Sequence, residues 1–225
     1  MNFLEPTYIL SILLALSVHE WAHGFMAYQL GDPTAKYAGR LTLNPLAHLD
    51  MLGTILFVTV GFGWGKPVPV DPRYFQHPKR DTALTALAGP LSNLILACIA
   101  FAILVALSHG PVDGFAESLL SQPKSGAVSI QFLRQFAGSS LFLNLGLMAF
   151  NLLPIAPLDG SKIIHPFVPL QWDDQYDELM RRGPMILLVL LLAERLVHFP
   201  LLSVWIFWIM ETVLRAFAAV ASVFV

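Results

Sequence analysis

One cysteine, Cys98, stands among 225 residues, and it lies inside an apolar run. A lone thiol excludes an intramolecular disulfide framework and any cysteine-rich zinc site. Histidine and carboxylate are therefore the metal ligands left to this chain. Charge is scarce too: Asp, Glu, Lys and Arg make up 12% of the residues, against about a quarter in an ordinary soluble domain. There is no basic block, and a formal net charge of −2 offers nothing to nucleic acid. The N-terminus lacks a basic stretch and a small-residue cleavage site, so the first apolar run reads as a retained span. Internal repeats and low-complexity linkers are missing as well, which leaves a single domain, 1–225.

What fills the chain instead is hydrophobicity, at 56% of residues and a mean hydropathy of +0.66. The expected class is an all-α integral membrane protein in a lipid bilayer, with about five transmembrane helices. The first span runs from Pro6 to Leu30 and is stopped by Gly31-Asp32-Pro33. Further spans are expected over Thr82–Leu107, Phe132–Leu153, Pro184–Val197 and Leu201–Val220. The domain's core is then 6–165, with closing helices over 184–222. The loop from Ser108 to Gly126 has room for a short interfacial helix around Phe115–Leu120, and Asp173 to Glu178 reads as an acidic loop.

Met51–Trp64 is apolar but too short to cross, and Gly53, Gly61 and Gly63 interrupt it, so a re-entrant segment is expected. Counting Lys and Arg agrees: a re-entrant segment divides them nine to three across the bilayer, a crossing one seven to five. That arrangement puts the N-terminus outside and the C-terminus in the cytosol. Gly65-Lys66-Pro67-Val68-Pro69-Val70 reads either as a stiff polyproline-like connector or as a short membrane-associated β element. In the second case Pro67 and Pro69 delete the donors of one edge, and the amides of Lys66, Val68 and Val70 stay able to pair.

The chemistry begins with His19-Glu20-Trp21-Ala22-His23 inside the first span. Residues four apart on a helix lie one above the other, so His19 and His23 can serve one metal ion. Glu20 is set to accept a proton from water without being a ligand. Ionisable groups in the middle of an apolar span are costly and are rarely kept without a use. A catalytic site needs a third protein ligand. Three carboxylates lie at membrane depth, Asp159, Glu194 and Glu211. Glu211 has Arg215 four residues on and is expected to form a salt bridge; Glu194 lies near a span end. Asp159 follows Pro154 and Pro157, which open the helix, and precedes Gly160, where another backbone can come close. Asp159 is the favoured ligand, with His48 and His165 as competitors.

His19-Glu20-x-x-His23 with Asn151-x-x-Pro154-x-x-Pro157-Leu158-Asp159-Gly160 resembles the site-2 protease family of intramembrane zinc metalloproteases. Ala88-Gly89-Pro90-Leu91-Ser92-Asn93 is similar to that family's G-P-x-x-N element. Asn44-Pro45-Leu46-Ala47-His48-Leu49-Asp50 and Gly65–Val70 resemble its compact bacterial branch, which has no PDZ domain. The resemblance covers Leu10 to Ile164. It implies one Zn2+ per chain held by His19, His23 and Asp159, with Glu20 activating water and Asn151 stabilising the oxyanion. It also implies a transmembrane protein substrate, paired in extended form with a strand near the site, and a bacterial cell membrane location. A zinc or proton transporter and a non-catalytic scaffold are the alternative functions. No sequence feature assigns an oligomeric state.

Overall fold

The computed structural model describes residues 5–60, 63–107, 128–196 and 200–222. Helix α1 covers Pro6–Gln29, starting at a proline and ending in a paired carbonyl cap. The Asp32 amide donates to Ala27 O at 2.9 Å and the Gly31 amide to Tyr28 O at 3.1 Å, with Gly31 at φ 104°. The connection that follows holds two single turns, α2 (Thr34–Tyr37) and α3 (Pro45–His48), then α4 (Met51–Val60). Helix α5 spans Pro78–Leu107 with Pro90 inside it, and α6 spans Val128–Asn151. After the proline-broken stretch come α7 (Asp159–Ile164), α8 (Asp173–Arg181), α9 (Gly183–Leu196) and α10 (Leu201–Ala221). The loop from Ser108 to Gly126, with its expected interfacial helix, lies outside the described residues.

Among the described residues three helices, α1, α5 and α10, are long and apolar enough to cross a membrane. The other two expected crossings are weaker by that measure for physical reasons. Helix α6 has 24 residues but carries Gln131, Arg134, Gln135, Ser140 and Asn144. Helix α9 has 14 residues, about 21 Å of rise against a hydrocarbon core of about 30 Å. The acidic segment expected as a loop is the helix α8. Asp173 and Asp174 occupy its first turn and Arg181 its last, the charge order that suits the helix dipole.

No sheet exists among the described residues; the 65–70 stretch has no regular structure beyond one antiparallel bridge between Leu49 and Gly65. That bridge sets the two ends of the α4 segment side by side. Gly53 and Trp64 are so close that a Cβ on Gly53 would fall 2.1 Å from Trp64 O.

The centre is a packing of α1, α5 and α6. Small side chains make close approach possible: Ala97, Ala100, Ala137 and Ala149 are buried with Leu141, Leu145 and Met148, and Met210 of α10 closes the cluster. A polar seam crosses the three helices. Ser140 Oγ donates to Ser11 Oγ at 3.0 Å, Ser11 Oγ to Phe136 O at 3.2 Å, and Asn93 Nδ2 to Asn144 Oδ1 at 2.8 Å. In hydrocarbon such groups have no water to turn to, so the seam fixes how the helices register. The outer carboxylates take structural duties. Glu194 accepts from the amides of Leu202 (3.0 Å) and Ser203 (3.1 Å), capping α10, and Glu211 pairs with Arg215 at 2.6 Å.

Candidate metal centre

The site lies where two stripes of four-residue steps run against each other. On α1 the stripe is Ala15, His19, His23; on α5 it is Asn93, Gly89, Thr85. Asn93 reaches Ala15 O (3.3 Å) and His19 Nδ1 (2.6 Å), while Thr85 O meets His23 Nδ1 at 2.8 Å. A carbonyl can only accept, so His23 carries its proton on Nδ1. Asn93 uses Nδ2 to donate to Ala15 and Asn144, which turns its Oδ1 toward His19. Both imidazoles are thereby fixed in the tautomer that leaves the Nε2 lone pair free. Gly89 sits flat between them. A Cβ there would lie 2.5 Å from His23 Nε2 and 2.6 Å from His19 Cε1.

Asp159 enters from the start of α7. The turn that presents it depends on Gly160, whose Cβ would fall 2.4 Å from the carbonyl oxygens of both Leu152 and Leu153. Asp159 Oδ2 lies 3.3 Å from His19 Nε2 and 3.2 Å from His23 Nε2, and the two Nε2 atoms are 3.0 Å apart. His19 is 3% exposed and Asp159 is 6% exposed, and Oδ2 has no hydrogen-bond partner. Three atoms able to act as ligands thus converge in a nearly dry place, an arrangement suited to a cation. A tetrahedral ion with ligands at about 2.0–2.1 Å sets those atoms about 3.3–3.4 Å apart, close to the spacing here. Among the described residues these three side chains form the one group able to hold a metal ion.

Glu20 stands beside the triad, half-buried, with Oε2 accepting from the Val68 amide at 2.9 Å. This changes the picture of the 65–70 segment. The Lys66 amide donates to His48 O at 2.8 Å and the Val68 amide to Glu20, so two donors expected to face a partner are taken by the chain itself. His48 joins no metal cluster: its buried Nε2 meets Thr42 O at 2.7 Å. His165 lies with Asp173 (3.4 Å) and Asp177 (3.8 Å), stacked on Tyr176. There the Lys79 ammonium holds the Asp173 carboxyl below the usual carboxylate range. Asn151 is in the last turn of α6, where Nδ2 donates to Leu147 O at 3.0 Å.

Sequence reasoning passed over three partners: Thr85, Asn93 as the holder of His19, and Asn144 behind it. For Thr85 and Asn93 the signal was available in the four-residue step Thr85–Gly89–Asn93, a polar stripe on an apolar helix.

Fold and site together define a helical membrane protein with a buried group of two histidines and one aspartate able to hold a metal ion, and a glutamate at its side. The model of peptidase family M50 matches residues 7–191, and the chain belongs to that family. YwhC of Bacillus subtilis, which carries the name of a zinc metalloprotease, is 38% identical over 222 residues, 96% of this chain and 93% of its own length. The Rip2 proteins of Mycolicibacterium smegmatis and Mycobacterium tuberculosis, similarly named, are 28% and 30% identical. Each alignment covers 87% of this chain and 68% of the relative. No solved structure matches the chain.

Proposed function

We propose that this chain is an intramembrane zinc metalloendopeptidase, cleaving a peptide bond in or near a transmembrane segment of a substrate protein. The observation that carries the reading is the meeting of His19 Nε2, His23 Nε2 and Asp159 Oδ2 within 3.0–3.3 Å, with Glu20 alongside. These three atoms would hold one zinc ion. When bound, the metal supplies a Lewis acid that acidifies water and polarises a carbonyl. Glu20 moves the proton. Oε2 is engaged by Val68 and Oε1 accepts no hydrogen bond among the described residues, so Oε1 is the oxygen that takes the proton and returns it to the leaving amine. Asn151 serves the oxyanion through the second N–H of Nδ2, the first being given to Leu147. The transporter alternative needs a path of ionisable groups leading away from the triad. Glu194, spent on capping α10, and Glu211, paired with Arg215, do not continue one.

The test is purification in detergent, metal analysis and incubation with single-span peptides. Wild type should carry one zinc per chain and cleave; Asp159→Ala should lose most of the metal, because two histidines alone make a weak site. Full zinc in Asp159→Ala, with loss in His48→Ala, would move the third ligand to the Asn44–Asp50 turn.

The finer arrangement is a single membrane-embedded domain over 1–225. Five helices (α1, α5, α6, α9, α10) cross a bacterial cell membrane, with the N-terminus outside and the C-terminus in the cytosol. The Leu49–Gly65 bridge supports a re-entrant 51–64 segment, since it brings both ends to one level. Cysteines replacing the exposed Lys36 and Gln76, in a Cys98→Ala background, should both react with a membrane-impermeant thiol reagent from the cytosolic side. Labelling from opposite sides would restore an extra crossing.

A further inference from the structure

Glu20 makes one described hydrogen bond outside its own helix, to the Val68 amide. We propose that Arg40 is the positioning residue for Glu20, acting through the backbone of Lys66–Val68. The inference rests on Glu20 being the proton acceptor.

Arg40 is 8% exposed and has no carboxylate within salt-bridge distance among the described residues. A buried guanidinium without a counter-ion is expensive, so its hydrogen bonds show what it is there to hold. Nη2 donates to Lys66 O at 2.6 Å and more weakly to Pro67 O at 3.4 Å. These are the two carbonyls that immediately precede the Val68 amide. The flanks of the segment are tied by other contacts. The Lys66 amide is taken by His48 O (2.8 Å) and the Asp71 amide by Asp32 Oδ2 (2.7 Å). Pro67 and Pro69 flank Val68 and lock their own φ, so Val68 carries the one amide donor of the three residues.

The Val68 side chain sets the height of the segment above α1. It is buried, and a Cβ on Gly24 would lie 3.2 Å from Val68 Cγ1. Gly24 follows His23 directly, so the same turn of α1 that offers the second histidine also carries the floor on which Val68 rests. Arg40 pulls the two carbonyls one way, the proline backbone transmits the placement, and the Val68 N–H arrives at Glu20 Oε2. The carboxylate is then oriented with Oε1 free. Loss of the Arg40 bonds leaves Val68 resting on Gly24 but no longer aimed, and Glu20 free to rotate about its terminal torsion.

The experiment uses the full chain in detergent with one single-span peptide substrate, comparing wild type, Glu20→Gln, Arg40→Met, Arg40→Lys, Val68→Pro and the Arg40→Met/Val68→Pro double variant. Arg40→Met should lower kcat 10- to 100-fold, the order that small misplacements of a reacting group cost. KM should stay within threefold and zinc at one per chain. Arg40→Lys keeps one donor for Lys66 O and should recover kcat to within about fivefold of wild type. Val68→Pro deletes the donor itself and should match Arg40→Met, and the double variant should be no worse than Val68→Pro alone. The proposal is overturned by an unchanged kcat in Arg40→Met or in Val68→Pro, by a KM rise at constant kcat, by Arg40→Lys failing to recover activity, or by fully multiplied losses in the double variant. Should Arg40→Met fail to accumulate, Arg40→Lys and Val68→Pro decide by the same criteria. A wild type that cleaves nothing, or a Glu20→Gln variant as active as wild type, removes the function itself. Active wild type, dead Glu20→Gln and unaffected Arg40 variants remove only the positioning role.

Discussion

Glu20→Gln should leave one zinc per chain and lower the cleavage rate by two to four powers of ten, about 3–5 kcal/mol on the barrier. The expectation follows from what the substitution keeps. Gln matches Glu in shape, and its side-chain oxygen can still accept from the Val68 amide 2.9 Å away. Glu20 is outside the ligand group, so His19, His23 and Asp159 stay as they are. Only the capacity to take a proton is removed. Metal analysis and initial rates on the same preparation read both halves. Loss of zinc in Glu20→Gln would make Glu20 a ligand, and an undiminished rate would move the base elsewhere.

Gly89→Ala should be as damaging by a different route. The new methyl would sit 2.5 Å from His23 Cε1 and Nε2 and 2.6 Å from His19 Cε1, about 1 Å inside ordinary contact. Neither ring can swing aside, because Nδ1 of each is held, by Thr85 O at 2.8 Å and by Asn93 Oδ1 at 2.6 Å. The histidines must give up those bonds or α5 must back away from α1, and either outcome opens the triad. Zinc content should fall below about a tenth of wild type, and cleavage with it, since the ion is held by geometry that this change removes. Gly138→Ala is the control: a Cβ there meets nothing within 4 Å, and replacing a helical glycine should stabilise by up to about 1 kcal/mol. Full zinc and a wild-type rate in Gly89→Ala would mean that the two helices do not approach as described.

Features carried by local pattern were legible beforehand. Helix α1 was bounded within a residue by Pro6 and Gly31-Asp32-Pro33, and Glu211 found Arg215 four residues on as helical spacing dictates. Asp159 was singled out because prolines and a glycine mark a place where backbone leaves its helix, and it meets the two histidines from more than 130 residues away. What escaped was set by tertiary contact. The polar step Thr85–Gly89–Asn93 marks one face of α5, but nothing local says which helix that face meets. Residues 65–70 read from sequence either as a stiff connector or as an edge with amides able to pair; His48 O and Glu20 Oε2, both upstream, take the Lys66 and Val68 amides. Residues 173–178 looked like a loop because they are polar, and became a helix because their charges suit its ends.

The wide separation of the three candidate ligands along the chain has a bearing on how such an enzyme is made. His19 and His23 leave the ribosome early, and Asp159 emerges only after α5 and α6 have been synthesised. Until α7 docks, a nascent chain holds two histidines and no third ligand, so a half-inserted molecule has no working proteolytic centre. With these three side chains as the metal's holders, the order of the chain delays a complete site until α7 has docked.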